Sequence, residues 1–561
     1  MNEGLAATQE RETTTRSWGP FEPLRERTFA IIWSSSVLSN FGQLILGVGA
    51  AWEMTRLAAS PEMVALVQTA LWLPLMFVAV PAGAAADMFD RRKVAMSGLS
   101  FAIFSAAVLV SLSVLELTTP WVLLAFCSLI GVGVALYGPA WQASVGEQVS
   151  QEQLPAAVAL GSISYNVARS FGPAVGGAII LLAGAKAAFA VTTIAYTPLL
   201  AAFYFWRRQP ASARLPPERM DRAIISGGRY VFHSPPIRNV LVRALVFGLI
   251  GSSIAALTPV LAHSVLHGGP GLYGILLGVY GAGAVCGAMA AGPLRWRLKS
   301  EHIVSACAII NGVATLVIAM SHNVYLTGAA MVFAGAAWMP LLNTLNLGVQ
   351  LSAPRWVMAR ALSLYQSALT GGLAFGAWIW GNLATHHGVS ASLIASGVAL
   401  IVSPLLGLVL PLPAVNSEGT EPVEIGNEPN VALGITLKSG PVVIEVDYDV
   451  DPDRARQFYD AMLKMQRARQ RNGAFDWSLS RDIGDPALWT ERYLCPTWGD
   501  YLRLRSRFTH SDRALQEVTH ALTRTGGAMA IRRRLERPFG SVRWRADTPD
   551  PQRGPLVSYN P

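Results

Sequence analysis

The sequence predicts an all-α polytopic membrane protein, with twelve transmembrane helices in two six-helix halves and a small C-terminal ferredoxin-like α+β domain. Composition is the first reason: of 561 residues, 52% are hydrophobic and only 14% are charged, where a soluble domain carries about 25% charged residues. Charge placement is the second. The stretches 28–206 and 237–410 hold 21 charges in 353 residues, whereas 37 of the 79 charges lie from Val431 onward. The third is periodic apolar length, with twelve segments near the roughly 20 residues needed to cross a bilayer.

The spans are placed at 29–52, 63–86, 94–115, 121–146, 154–182, 187–206, 239–264, 272–294, 302–320, 324–350, 357–385 and 389–410. Gly and Pro recur inside them, which a membrane helix tolerates and a soluble helix does not. With the N-terminus in the cytoplasm, the inside loops carry 19 Lys/Arg and the outside loops two, Arg56 and Lys186. That asymmetry predicts a multi-pass protein of the cytoplasmic (inner) membrane with both termini inside. The first 27 residues are polar and lack the apolar core of a signal peptide. Cys127, Cys286, Cys307 and Cys495 are far apart in sequence, giving neither a disulfide framework nor zinc spacing. No metal or cofactor motif is found, and the net charge of +9 reads as topology rather than nucleic-acid binding.

The divisions are a cytoplasmic tail 1–27, a six-helix bundle 28–207, a basic linker 208–236, a second bundle 237–411, a linker 412–430, an α+β domain 431–541 and a disordered tail 542–561. The halves resemble each other faintly, Ala159-Leu160 matching Ala361-Leu362 at an offset of about 202. Parallel six-helix repeats place a substrate site at the midplane between halves. In the C-terminal domain, 441–450 reads as a strand, 451–473 as a helix capped by Asp451, then two strands, one helical stretch 498–524 and a last strand near 529–537.

Two motifs carry mechanism. Span 2 ends in Gly83-Ala-Ala-Ala-Asp87-Met-Phe-Asp90-Arg91-Arg92-Lys93. Gly83 permits close helix approach. Asp87 at the membrane face accepts hydrogen bonds from a facing helix N-terminus or an arginine, a contact that exists in one conformation and breaks in another. Arg91 and Arg92 either join this latch or only anchor topology. Span 5 reads Asn166-Val-Ala-Arg169-Ser-Phe-Gly172-Pro173-Ala-Val-Gly176-Gly177. Its glycines form a small-residue packing face and Pro173 bends the helix. Arg169 lies near the midplane, about 22 Å in at 1.5 Å per residue. An unpaired charge there costs at least about 2.5–3.5 kcal/mol, so Arg169 either pairs internally or serves substrate or coupling. Asn40, Gln43, Gln68, Tyr137, Gln142, Asn343, Asn346, Tyr365 and Gln366 are candidate cavity residues, the alternative being interhelical hydrogen bonds worth about 0.6 kcal/mol each. Glu53, Glu116, His263 and His267 fall at outer ends and read as surface groups. The glycines of span 8 (Gly278, Gly281, Gly283, Gly287) read as helix packing, since no strand precedes them.

On these residues the chain resembles the major facilitator superfamily. The run Asp87 to Lys93 is similar to its loop 2–3 signature, and Gly172-Pro173-x-x-Gly176-Gly177 to its antiporter signature. The phrase LPAAVALGSISYNVARSFGPAVGG and its counterpart MARALSLYQSALTGGLAFGAWIWG resemble the bacterial efflux permeases of the enterobactin-exporter branch, in which a C-terminal α+β extension also occurs. The resemblance implies alternating access and export of a drug- or siderophore-like small molecule, coupled to protons, by a non-enzyme. Departures are Met88 and Asp90, where the signature has a basic residue and Gly, and Gly131-Val-Gly133-Val-Ala135, which lacks its upstream Arg. The corresponding loop of the second half, Gly292–Lys299, lacks the Asp. Two alternatives stand beside export: uptake, or a membrane-tethered monooxygenase-like enzyme built on Trp477, Asp482, Trp489, Glu491, Trp498 and Arg503, Arg505 and Arg507. The C-terminal domain is also a candidate surface for self-association or for docking on the inner face.

Overall fold

The computed structural model describes residues 21–58, 60–150, 153–207, 227–354, 357–413, 429, 431–524 and 530–536. The side chains of Ala84, Asp87, Met88, Pro155, Ser162, Trp296 and Ala359 fall outside that description. So do the tail 1–20, most of the two linkers and the tail 542–561.

Among the described residues, eleven helices of 14 residues or more build the apolar part: α1 Arg27–Leu57, α2 Pro61–Met88, α3 Arg91–Val114, α4 Pro120–Ser144, α5 Leu154–Phe205, α6 Pro235–Val260, α7 Pro270–Arg297, α8 Ser300–Met320, α9 Val324–Ser352, α10 Met358–His387 and α11 Val389–Val402. Local sequence sets many of their starts. Ser60 accepts from Met63 N–H ahead of Pro61, Thr119 from Val122 N–H ahead of Pro120, and Asn323 from Tyr325 and Leu326 N–H. Ten helices among the described residues are long and apolar enough to cross a membrane. One of them contains two expected spans: α5 runs on from 154 to 205 and turns only at Gly184, whose φ of 79° suits glycine. α10 has the length but is more polar, carrying Arg360, Gln366, His386 and His387.

The outer surface of the bundle is apolar, with Leu182, Leu408, Phe104 and Phe333 exposed. That surface suits lipid and would be an aggregation liability in water. Inside, α1 packs on α5, α2 and α3 on α4, and α3 on α5. In the second half α6 packs on α10, α7 on α9, and α8 on α9 and α11. Two seams join the halves, α5 on α7 and α2 on α10.

The buried core is unevenly shared between the two faces of the bundle. At the face away from the linker, Met54, Val64 and Ala65 of the first half share one cluster with Leu257, Val260, Tyr273 and Trp380 of the second. Trp52 closes this end, stacking on Tyr273 at 6.2 Å and meeting His263 edge-on at 5.8 Å. At the linker face the second half has its own cluster, including Phe247, Trp338, Leu345 and Tyr365, with no member from the first half. The halves are fused at the far face and keep separate cores at the linker face.

The C-terminal domain is a four-stranded antiparallel sheet, β1 Val442–Asp449, β2 Phe475–Arg481, β3 Leu488–Cys495 and β4 Ala530–Leu535, in the order β2-β3-β1-β4. Tyr448 pairs in register with Trp489, and Val446 with Ile531. Helices α12 Ala455–Asn472, α13 Trp498–Ser506 and α14 His510–Ala521 accompany it. Val442, Ile444, Val446 and Tyr448 alternate inward onto Phe458, Met462 and Met465 of α12. Asp451 accepts from Asp453 N–H at the turn that leads into α12. The single helical stretch expected at 498–524 is two helices, because Thr509 and Asp512 form a capping box that starts α14 afresh.

Candidate functional site

The loop between α2 and α3 holds its own half together. Asp90 is the N-cap of α3, accepting from Arg92 N–H at 2.9 Å. Arg91 donates to the Ala143 carbonyl at 2.7 Å and to Glu147 at 3.0 Å, tying α3 to the end of α4. Arg92 donates to the carbonyls of Phe203 and Tyr204 at 2.8 and 2.5 Å, a cation on the C-terminal end of α5. Gly83 faces the second half: a β-carbon there would stand 3.7 Å from Ser363 Oγ on α10, ordinary contact rather than a forced approach. The Asp87 side chain lies outside the described residues.

The α5 motif splits between two neighbours. Gly172 and Gly176 pack on α1, where an added β-carbon would meet Leu44 at 3.0 Å and the Ile45 backbone at 3.3 Å. Gly177 crosses to the other half, and a β-carbon on it would stand 2.5 Å from Gly274 Cα. A β-carbon on Gly278 would likewise stand 3.0 Å from Ala174 Cβ, and one on Gly281 2.6 Å from the Ser170 carbonyl oxygen. Pro173 lies inside the helix within this run. The seam is therefore antiparallel, small residue against small residue, over Ser170–Gly177 and Gly274–Gly281. Gly283 and Gly287 face the other way, against Val332 and Ala336 of α9.

Arg169 is half-buried and makes no hydrogen bond or ion pair among the described residues. Its charge acts through space on the hydroxyls of Tyr280 on α7 and Tyr365 on α10, both in the second half. Tyr365 donates to the Leu342 carbonyl at 3.2 Å. Asn166 on the same helix accepts from Ser170 through its carbonyl at 2.9 Å.

The other polar candidates divide. Asn40 donates to Ser164 at 3.0 Å, Gln68 accepts from Trp72 at 3.1 Å, and Asn346 accepts from Gln350. Only the first links two helices, α1 and α5; the other two are one-turn contacts within α2 and within α9. Tyr137 is buried, Gln43 and Asn343 are half-buried, and Gln142 and Gln366 are exposed. At the far face, Glu53 is buried and paired with Arg56, and Glu116 lies 3.5 Å from Lys186.

Two arrangements escaped sequence reasoning. Arg243 of α6 is fully buried and donates to both oxygens of Glu301 at 2.8 Å and to the Leu410 carbonyl at 3.3 Å. Glu301 also accepts from Leu412 N–H, so the pair staples the chain leaving the last span to α6 and α8. The signal was an arginine inside an apolar span and a glutamate just before another. The second is the joint with the C-terminal domain. Arg229 donates to the Gly473 carbonyl at 3.3 Å, and Arg471 lies 5.3 Å over the ring of Tyr230 while pairing with buried Asp512. Burial pushes the Tyr230 phenol up to about 12, against the pull of Arg471.

Within that domain Glu491 is fully buried and saturated. It accepts from Tyr448 at 3.0 Å, Trp477 at 2.9 Å and Arg469 at 3.2 Å. Burial of the Arg469 guanidinium opposes its charge, yet Glu491 outweighs that and holds its pKa well above the ordinary value. Trp498 is a core residue, Asp482 closes the β2–β3 turn by accepting from Gly484 and Asp485 N–H, and burial pushes the Cys495 thiol up to about 12. Arg503 pairs with Asp500. These side chains are engaged in holding the domain together.

The comparisons agree with this architecture. The family profile described as "Transmembrane secretion effector" matches residues 18–539. The chain is 23% identical to the multidrug efflux pump Tap of Mycobacterium tuberculosis over 399 residues, 68% of this chain and 93% of that one. It is 23% identical to the staphyloferrin A transporter of Staphylococcus aureus over 52% of this chain and 73% of that one. Among solved structures, a bacterial homologue of the human lysosomal transporter Spinster, in an inward-facing and unoccupied conformation, shares the fold at TM-score 0.56 and 13% identity, covering 69% of this chain and 97% of its own. A D-xylose–proton symporter does so at TM-score 0.56 and 12% identity, over 70% of this chain and 99% of its own. These relatives are membrane transporters, not enzymes, and the chain belongs to the transmembrane secretion effector family of the major facilitator superfamily.

Proposed function

We propose that this protein exports a drug- or siderophore-like small molecule across the cytoplasmic membrane by alternating access, driven by the proton gradient. In this reading the chain crosses twelve times. The two arms of α5 on either side of Gly184 and the more polar α10 supply the crossings beyond the apolar helices. The linker face is cytoplasmic, as the 19-to-2 excess of basic residues favours, and both termini lie there with the C-terminal domain. The β2-β3-β1-β4 order and the chain order β1-α12-β2-β3-α13-α14-β4 support reading that domain as ferredoxin-like.

The observation that carries the proposal is the unequal core: one shared cluster at the far face, separate clusters at the linker face. Two rigid halves joined along small-residue seams have a second packing available, in which the linker face closes and the far face opens. The present arrangement is then the cytoplasm-open form. Gly83 and Asp87 form the latch region between α2 and α10, braced within the first half by Asp90, Arg91 and Arg92, and Gly177 against Gly274 is the contact that parts in the other packing. Export is supported by the efflux relative named above, and coupling by the proton symporter that shares the fold. The test is flux in oriented vesicles. Inside-out vesicles acidified inside are expected to accumulate at least one of carboxyfluorescein, an iron-free siderophore and ethidium, to lose it on adding a protonophore, and to slow by about tenfold or more in Asp87→Asn, a barrier change of about 1.4 kcal/mol. Accumulation confined to right-side-out vesicles would instead assign uptake.

A further inference from the structure

Among the described residues, Arg169 stands alone as a charge in the middle of the bundle. The acidic residues of α1 to α11 are Glu53, Glu62, Asp87 and Glu301, and each lies within about a turn of a helix end. The other deep cation, Arg243, has Glu301 as its partner. Arg169 has no partner among the described residues, although a charge at that depth costs at least about 2.5–3.5 kcal/mol. The hydroxyl of Tyr280 likewise makes no hydrogen bond among the described residues. The two come from opposite halves and flank one point of the seam, where Ser170 meets Gly281: a β-carbon on Gly281 would stand 2.7 Å from Ser170 Cα. A guanidinium offers five donors in a planar fork that matches a carboxylate or phosphate edge. Among the described residues no carboxylate competes for those donors.

We propose that the substrate site selects organic anions, with Arg169 of the first half as the countercharge and Tyr280 of the second as a hydrogen-bond donor to the same group. This rests on the transporter reading and narrows it to a substrate class. A ligand bridging Arg169 and Tyr280 touches both halves beside the α5–α7 seam, so its binding acts directly on the equilibrium between the two packings.

The test uses the full chain, purified and in proteoliposomes, with carboxyfluorescein as anionic probe and ethidium as cationic probe. Wild type is expected to bind and move carboxyfluorescein. Arg169→Gln weakens that binding at least tenfold, Arg169→Lys keeps part of it, and Tyr280→Phe weakens it several-fold, while thermal melting stays within a few degrees of wild type. Carboxyfluorescein binding by Arg169→Gln equal to that of wild type would overturn the inference. So would a wild-type protein that moves ethidium and excludes the anion, an outcome that leaves the transporter reading standing. Absence of flux with every probe would take down the transporter reading itself, and this inference with it.

Discussion

Gly177→Val is expected to abolish most transport while leaving an intact, membrane-inserted protein. The glycine faces Gly274 across the halves, and even a β-carbon would lie 2.5 Å from Gly274 Cα. No flexible side chain is available to move away, because both sides of the contact are backbone. The halves must separate at the far face. Overpacking of this kind costs about 1–3 kcal/mol, a loss drawn from the conformation that contains the contact. A bias of about 2.7 kcal/mol shifts a two-state equilibrium about a hundredfold, so initial rates are expected to fall by one to two orders of magnitude. Far-face positions such as Trp52 should become reactive to an impermeant thiol reagent when replaced by cysteine. Gly172→Ala is the control, since Gly172 packs on Leu44 of its own half. Wild-type flux in Gly177→Val would show that the α5–α7 seam does not set the equilibrium.

Glu301→Ala is expected to destabilise the protein more than any change at the predicted motifs. It strands the fully buried Arg243 guanidinium, whose Nε and one terminal nitrogen already lack partners. Removing one member of a buried pair costs about 3–5 kcal/mol. It also leaves Leu412 N–H without its acceptor, which loosens the chain leaving the last span. Arg243→Met replaces the cation with an apolar side chain of similar length and leaves a Glu301 that is one-third exposed. The expected order of melting temperatures is therefore wild type, then Arg243→Met, then Glu301→Ala. Equal losses in the two variants would contradict the burial argument.

The largely helical, membrane-spanning character of the chain was legible because lipid imposes it on local sequence. An apolar run near twenty residues needs no knowledge of partners. The loop motif was less legible. Its residue types announce a charged hub, but only the fold shows that Arg91 and Arg92 donate to Ala143, Glu147, Phe203 and Tyr204 inside their own half. The Arg243–Glu301 staple joins residues 58 apart, and Arg469–Glu491 joins a helix to a strand. Neither spacing carries a local signature. The sequence left Arg169 between internal pairing and substrate work. Among the described residues the three-dimensional arrangement offers it no pairing partner, and it brings the neighbouring Ser170 against Gly281, next to Tyr280, which no motif marked. The break at residues 506–510 shows the reverse lesson: the Thr509–Asp512 box was present locally and outweighs a continuous helical pattern.

The most direct test of the two-packing mechanism is a reversible cross-link at the seam. Ala174 Cβ lies 3.0 Å from where a β-carbon on Gly278 would stand, near disulfide range. In an Ala174→Cys/Gly278→Cys protein with its native cysteines replaced, flux is measured before oxidation, after oxidation and after reduction. Alternating access predicts transport in the reduced protein, its loss on cross-linking and its return with reductant. Undiminished flux through fully cross-linked protein would contradict the account.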